Sequence, residues 1–445
     1  MSILTKEEAQ ALLKKVLNYS KADECEVGLN GREGGNIRTA LNQVSTAGDI
    51  STLNLSVNST FGKKTGTATI NEFDDASLEK VVRRSEELAQ LAPENREHVV
   101  PLGSPATPFA DSIEYNADTA AMTPESRAEL MAKSLDVTTK ANLIAAGFLE
   151  NTTGFNAMMN SKGLFAYNRS TDVIFTVTTR NHDGTGSGYA AKGFTDVKKL
   201  DTYAATKIAA TKANNSAGAK AIEPGKYTVI LEPTAAAYMM ESMFRFDART
   251  AEEGRSFLSK KGGGTRLGEK LVDDKVNIYS DPFNPELPGG TWDRDGLPLE
   301  KTYWIQNGVV KNLSYSRYWA EKKGVKPVPG PSNIIMDGGD SSIEEMIKNT
   351  ERGILVSRLW YIRSVDPQSL LLTGLTRDGT FYIENGKIKF PIKNFRFNES
   401  PVIMLNNVEA LGKPERAVSV ESYRSYLIPP MKIRDFTFSS LSDAV

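Results

Sequence analysis

The sequence has very few of the residues that build metal sites, nucleophilic sites and disulfides. Its 445 residues include one cysteine, Cys25, and two histidines, His98 and His182. A lone cysteine cannot form an internal disulfide, which fits a reducing compartment. Neither histidine has a second histidine, a cysteine or a carboxylate pair at ligand spacing. The residues therefore argue against a zinc site built by this chain.

Long apolar runs and an excess of one charge are absent too. No run approaches the roughly 18 apolar residues of a membrane span. The 54 basic and 55 acidic residues leave a net charge of -1, which gives no electrostatic footprint for nucleic acid. The start, MSILTKEEAQALLKKVLNYSKADE, predicts an amphipathic helix and not a signal peptide. We expect a cytoplasmic protein with no direct nucleic-acid or membrane partner.

Length and periodicity predict an α+β fold in two domains. Residues 1–224 alternate helices with groups of strands and are predicted to form an α/β domain. Residues 225–445 are predicted to form a mostly β domain with a few helices. Two Asn-Gly pairs in this second part, Asn307-Gly308 and Asn385-Gly386, are strong hairpin signals. The connector Glu94–Met122 is either a long loop or a strap across the surface.

Two loops have the composition of ligand sites but lack required residues. In KKGGGTRLGEK, Glu269 and Lys270 stand where a phosphate-binding loop needs Lys followed by Ser or Thr, so a flexible loop is favoured. The motif DRDG resembles half of a calcium loop, but the downstream bidentate glutamate is absent. Turn formation around Asp295-Gly296 accounts for these acidic residues more simply.

The stretch LEPTAAAYMMESMFRFDART, residues 231–250, resembles a possible active-site helix. We predict a helix over Ala235–Asp247 that carries Glu241 and Arg245 four residues apart. A zinc peptidase needs two imidazoles on one helical face and a carboxylate beside the metal-bound water. Met240 is a poor zinc ligand, and Arg245 is a permanent cation. We therefore predict an ion pair between Glu241 and Arg245, worth roughly 0.2–0.5 kcal/mol if exposed.

Several segments, taken in order, resemble the TldD/PmbA family, whose members are described as modulators of DNA gyrase. The C-terminal ones are GKYTVILEPTAAAYMMESM, GRSFL and DPFNPELPGGTWDRDGLPLEKTYWIQNGVVKNLSYSRYWAEKKG. The N-terminal ones are TGTATINEFDDASLEKVVRRSEELAQLAP and ENTTGFNAMMNSKGLFAY. The resemblance spans nearly the whole chain, and the ordered set of segments is more specific than any one of them.

The resemblance also implies which zinc ligands of the family are missing from this chain. TldD-type members carry His-Glu-x-x-x-His on a helix and a further cysteine ligand near the C-terminus. These positions fall on Met240, Glu241 and Arg245, and Val418–Ser425 contains no cysteine. The chain therefore resembles the TldE or PmbA branch, which lacks the zinc-binding motif. No catalytic, metal or cofactor-binding residue is then expected in this chain.

The same resemblance implies a partner. Such a chain forms a heterodimer with a TldD-type metallopeptidase subunit, which holds the zinc and cleaves unfolded peptides such as leader peptides and an antitoxin. This chain would shape the chamber, stabilise the active subunit and hold substrate main chain by strand addition. Two alternatives stay open: a hydrolase active alone, for example through Glu241 and His182, and a stand-alone regulatory homodimer. No residue pattern indicates a gyrase-binding surface.

Overall fold

The computed structural model describes residues 3–419, 422 and 424–442. The strands before Asn215 form one six-stranded sheet in the order β3-β2-β1-β4-β5-β6. These strands are β1 (Glu24–Ala40), β2 (Gln43–Phe61), β3 (Lys64–Ile70), β4 (Ile144–Asn160), β5 (Phe165–Arg180) and β6 (Ser187–Phe194). The helices of this part are α1 (Lys6–Tyr19), α2 (Asp75–Leu91), α3 (Ala117–Ala120), α4 (Pro124–Lys140) and α5 (Thr202–Asn215).

This N-terminal sheet has one apolar and one polar face because its long strands alternate. Val27 and Leu29 of β1 are buried in an apolar cluster with α1 and α2. Ile37, further along the same face, joins a second cluster with α4 and α5. Arg32 and Asn36 alternate with these residues and lie on the other face. Every strand pairing in this sheet is antiparallel. An antiparallel sheet with helices packed on its apolar face is typical of the predicted α+β class.

The described residues after Asn215 build two further sheets and five short helices. The helices are α6 (Pro233–Met240), α7 (Ala248–Glu252), α8 (Arg317–Lys323), α9 (Ile343–Lys348) and α10 (Pro401–Asn406). The strands are β7 (Gly225–Leu231), β8 (Ile278–Ser280), β9 (Thr302–Gln306), β10 (Val309–Val310), β11 (Ile335–Met336), β12 (Arg352–Asp366), β13 (Leu371–Glu384), β14 (Lys387–Pro391), β15 (Phe395–Glu399), β16 (Val408–Leu411), β17 (Glu415–Ser419), β18 (Arg424–Ile428) and β19 (Met431–Leu441).

One of these two sheets closes on itself. Its order is β12-β7-β19-β15-β13-β14, and β12 also pairs with β13. The other has the order β10-β9-β8-β11-β18-β17. Helix α6 lies in the large apolar cluster of this part, and residues 235–240 are all buried. The link between α5 and β7 contains the predicted boundary at residue 224, and the division into two domains stays a prediction.

Both predicted Asn-Gly hairpins are confirmed. Asn307 and Gly308 have φ angles of 49° and 73° between β9 and β10, and Asn385 and Gly386 have φ angles of 51° and 72° between β13 and β14. Positive φ at both central residues is what a two-residue turn between twisted strands requires. These turns depend only on local chemistry. No helix in the described part of the chain is long and apolar enough to cross a membrane.

The connector after α2 is a strap, the second of the two predicted alternatives. Arg249 of α7 donates hydrogen bonds to both carboxylate oxygens of Glu97, at 2.8 and 2.9 Å. Arg317 of α8 donates to the carbonyl of Val100 at 2.6 Å. Asn160 of β4 donates a hydrogen bond to the carbonyl of Leu102 at 2.9 Å, so the connector ties helices of the C-terminal part to the N-terminal sheet.

Candidate functional site

The predicted helix over residues 235–247 is interrupted, so that prediction is wrong. Helix α6 ends at Met240, and a single 3₁₀ turn follows. The chain then leaves the helical path, and Phe246 stacks on Trp304, with ring centroids 5.2 Å apart. Asp247 starts the separate helix α7, where its side chain accepts a hydrogen bond from the backbone N–H of Thr250 at 2.7 Å.

The predicted ion pair between Glu241 and Arg245 is wrong for the same reason. Arg245 is exposed and lies beyond the helical turn, so its side chain does not share a helical face with Glu241. The carboxylate of Glu241 instead accepts a hydrogen bond from the hydroxyl of Ser419 on β17, with 2.8 Å between the two oxygens. Glu241 thus contacts a strand 178 residues away in sequence.

Tyr426 of β18 lies beside Glu241. Burial raises the pKa of the Tyr426 phenol to about 12, and the negative charge of Glu241 acts in the same direction. The ring of Phe244 also packs against Tyr426, with the two ring centroids 5.2 Å apart. Glu241 therefore sits among hydroxyl groups and aromatic rings.

The residues at the motif positions do not fit zinc. Met240 is fully buried within the apolar cluster, and Arg245 is an exposed cation. Ser419 offers a neutral hydroxyl, which is not among the thiolate, imidazole and carboxylate donors that bind zinc in proteins. No group of three or more His, Cys, Asp or Glu side chains that could hold a metal occurs in the described residues. Within the segment 418–425, Val420, Glu421 and Tyr423 lie outside those residues.

Glu232 fixes the start of α6 between the two parts of the chain. It is the N-cap residue of that helix, and its side chain does not cap the helix. One carboxylate oxygen forms an ion pair with Lys212 of α5, with 2.5 Å between N and O. The other accepts a hydrogen bond from the hydroxyl of Ser357 on β12 at 2.9 Å. The position of α6 is therefore tied to the N-terminal helix layer.

A buried charged pair near α6 was not found from the sequence. Arg358 of β12 donates a hydrogen bond to Asp378 of β13 at 2.7 Å, and Asp378 is 1% exposed. The guanidinium carbon of Arg358 lies 3.8 Å from the ring centroid of Tyr189 on β6. Asp378 and Gly379 sit in a β-bulge with positive φ. An Asp-Gly pair inside the strand-like stretch TGLTRDGTFYIE was the available signal.

A second charged pair joins the two parts of the chain. Arg416 of β17 donates a hydrogen bond to Asp172 of β5 at 2.9 Å. Burial raises the pKa of the Asp172 carboxyl to about 6, although the charge of Arg416 opposes this rise. Asp172 also lines a cavity of about 530 Å³ on the polar face of the N-terminal sheet, together with Arg32, Phe148 and Glu150.

The remaining candidates lie apart from Glu241. His98 is on the strap, with its Nε2 atom 3.0 Å from a carboxylate oxygen of Glu24. His182 is exposed in the loop between β5 and β6, and no hydrogen bond or ion pair of the described residues joins it to Glu241. Asp293 accepts hydrogen bonds from two backbone N–H groups of the loop, which confirms the predicted turn.

Comparisons with known proteins agree with this fold. Residues 224–440 match the PmbA/TldA metallopeptidase C-terminal domain, and residues 25–89 match PmbA/TldA metallopeptidase domain 1. A metalloprotease of Methanothermobacter thermautotrophicus is 23% identical over 59% of this chain and 60% of its own length. Metalloprotease PmbA of Escherichia coli O157:H7 is 26% identical over 38% of this chain and 37% of its own length. The chain thus spans at most about 60% of these relatives.

Solved structures share nearly the whole fold. TldE from Thermococcus kodakarensis has a TM-score of 0.85 at 18% identity, over 97% of this chain and 99% of its own. A Thermotoga maritima protein named as a DNA gyrase modulator has the same TM-score at 19% identity, over 98% of this chain and 100% of its own. At this identity the likeness concerns the fold alone. The two domain matches together cover more than half of the sequence, and the chain belongs to the PmbA/TldD family.

Proposed function

We propose that this chain is the non-catalytic subunit of a TldD/TldE-type zinc metallopeptidase complex that processes unfolded peptides. The observation that carries the proposal is the state of the motif positions. Met240 lies in the core, Arg245 is exposed, and the Glu241 carboxylate accepts a hydrogen bond from Ser419. A metallopeptidase needs metal ligands and a carboxylate directed at the metal-bound water, and these side chains supply neither.

The proposed role of this chain is to complete a peptide chamber beside a TldD-type subunit, which carries the zinc. The polar face of the N-terminal sheet supports this role, because its cavity is lined by arginine, carboxylate and aromatic side chains. Such a surface can contact the main chain and mixed side chains of a peptide. Leader-peptide and antitoxin-type substrates, and a cytoplasmic location, belong to the same proposal.

The test is the activity of the paired complex. We expect this chain to co-purify with a paralogue that has an intact His-Glu-x-x-x-His motif. The Glu241→Gln variant should leave peptide cleavage by the complex unchanged, because Glu241 takes no part in the chemistry. The matched control is the same Glu→Gln change in the partner's motif, which should abolish cleavage. An inactive but fully assembled complex of the Glu241→Gln variant would contradict the proposal.

Two other functions are separated by experiments on the pure chain. A hydrolase active alone requires cleavage that survives a chelator and is lost in the Glu241→Gln variant. Among the described residues no hydrogen bond joins His182 to Glu241, and this does not favour a hydrolase that uses these two side chains. A stand-alone regulatory homodimer requires a dimer that keeps its mass when it is mixed with a TldD-type subunit.

A further inference from the structure

The cavity of about 530 Å³ on the polar face of the N-terminal sheet has a floor made by three neighbouring strands. Strand β1 contributes Arg32, Asn36 and Arg38, which share one face because alternate strand residues point the same way. Strand β4 pairs with β1 and places Phe148 opposite Arg38 and Glu150 opposite Asn36. Strand β5 pairs with the other edge of β4. The lining side chains of the three strands therefore form one continuous surface.

Strand β17 of the C-terminal part borders this floor. Arg416 on β17 donates a hydrogen bond to Asp172 of the cavity at 2.9 Å. Ser419, at the end of the same strand, donates a hydrogen bond to the carboxylate of Glu241. Three residues of a strand span about 10 Å. The ion pair at the border of the cavity is therefore about 10 Å along one strand from the residue that contacts the altered motif.

One charge in the cavity is not balanced. Arg32 forms an ion pair with Glu150, with 3.2 Å between N and O. Asp172 is paired with Arg416 in the same way. Among the described residues, no hydrogen bond or ion pair engages the guanidinium of Arg38, which is exposed. The two ion pairs cancel, so the cavity carries one net positive charge, on Arg38.

Phe148 supports the side chain of Arg38. The guanidinium carbon lies 4.8 Å from the centroid of the Phe148 ring, which is within the reach of roughly 6 Å for a cation–π contact. Contact with a ring face leaves the N–H donors of the guanidinium available. Those donors match the geometry of a carboxylate, which a guanidinium binds through two parallel hydrogen bonds. Arg38 is therefore positioned to bind a carboxylate ligand.

We propose that Arg38 binds a carboxylate group of the peptide substrate. This inference rests on the proposed function, in which unfolded peptides contact this face, and it names the peptides that the chamber prefers. They carry an acidic side chain or a free C-terminal carboxylate. The side-chain amide of Asn36, two residues along the same face and about 7 Å away, can donate a further hydrogen bond. Basic groups are disfavoured, because both carboxylates of the cavity are already paired.

The test is fluorescence anisotropy with the pure chain and three N-terminally labelled probes of one flexible, neutral sequence. The first probe carries one glutamate and an amidated C-terminus. The second carries glutamine and an amidated C-terminus, and the third carries glutamine and a free C-terminus. The second, fully neutral probe should bind about tenfold more weakly than one or both of the others. The probe that gains affinity identifies the source of the carboxylate, and added salt should reduce the gain.

Variants assign the preference to one side chain. Arg38→Gln should remove the preference and leave the affinity for the neutral probe unchanged. Arg38→Lys should keep a smaller preference, because an ammonium keeps the charge but lacks the planar pair of donors. Both variants should unfold at the wild-type urea concentration, since Arg38 is exposed. Arg434→Gln is the matched control, because Arg434 is another exposed strand arginine, and it should behave as wild type.

Three results would overturn the inference: equal affinity of the wild type for all three probes, no binding of any probe, or a preference that survives Arg38→Gln. None of them bears on the proposed function, which is tested by co-purification and cleavage with a TldD-type subunit. A chain that does not assemble with such a subunit, but keeps the preference for carboxylates, would count against the proposed function alone.

Discussion

Replacement of Asp378 by asparagine should lower the free energy of unfolding by about 2–4 kcal/mol. Asp378 is 1% exposed, and the Arg358 side chain that it pairs with is 8% exposed. Removal of one partner from a buried ion pair costs about 3–5 kcal/mol, because the other charge stays buried. Asparagine tolerates the φ of 55° at this position and can still accept the hydrogen bond from Arg358. That hydrogen bond reduces the loss by about 1 kcal/mol.

The assay is urea unfolding followed by tryptophan fluorescence, since the ring of Trp360 lies 4.8 Å from the Arg358 guanidinium. The matched control is Glu286→Gln, which breaks an exposed ion pair with Lys199 and should cost less than about 1 kcal/mol. Combined with Arg358→Met, the Asp378→Asn change should cost less than the sum of the two single variants. A loss below about 0.5 kcal/mol, or strict additivity, would refute the reasoning.

Three further predictions concern the motif positions and the pair that joins the sheets. Arg245→Ala should change the free energy of urea unfolding by less than about 0.5 kcal/mol, because Arg245 is exposed, and a larger loss would reveal an ion pair. A double variant with Met240→His and Arg245→His should bind no stoichiometric zinc by atomic absorption, because position 240 is in the core and position 245 is in solvent. Stoichiometric zinc would show that the site can be rebuilt. Burial raises the pKa of Asp172 from 3.8 to about 6 in the folded chain. Between these pH values the folded chain binds more protons than the unfolded chain. The free energy of unfolding should therefore fall as the pH rises from about 4 to 6. Asp172→Asn should remove that part of the slope in urea unfolding at several pH values, and an unchanged slope would contradict the assignment.

Local chemistry was enough to predict much of the secondary structure. The two Asn-Gly turns and the start of α4 follow from residues that are adjacent in sequence. At α4, the N-cap residue Thr123 stands directly before Pro124, and its side chain accepts a hydrogen bond from the backbone N–H of Ser126. The long β1–β2 hairpin was missed, because its turn residues Leu41 and Asn42 carry no glycine signal and still adopt positive φ.

The candidate site could be predicted only in part. The resemblance in sequence predicts that Met240 and Arg245 occupy altered motif positions, and a thioether and a permanent cation are poor zinc ligands. The contacts of Glu241 could not be predicted, because they depend on tertiary structure. The stacking of Phe246 on Trp304 accompanies the end of the helix, and Ser419 approaches from a distant strand. Helical spacing therefore suggested an ion pair that the fold does not form.

The proposal that this chain is a non-catalytic subunit is tested most directly by zinc content and peptide cleavage measured together on the pure protein. We predict no stoichiometric zinc and no cleavage of an unfolded peptide by this chain alone, with cleavage appearing when a TldD-type subunit is added. Stoichiometric zinc in the pure chain, together with peptide cleavage that a chelator abolishes, would contradict the account.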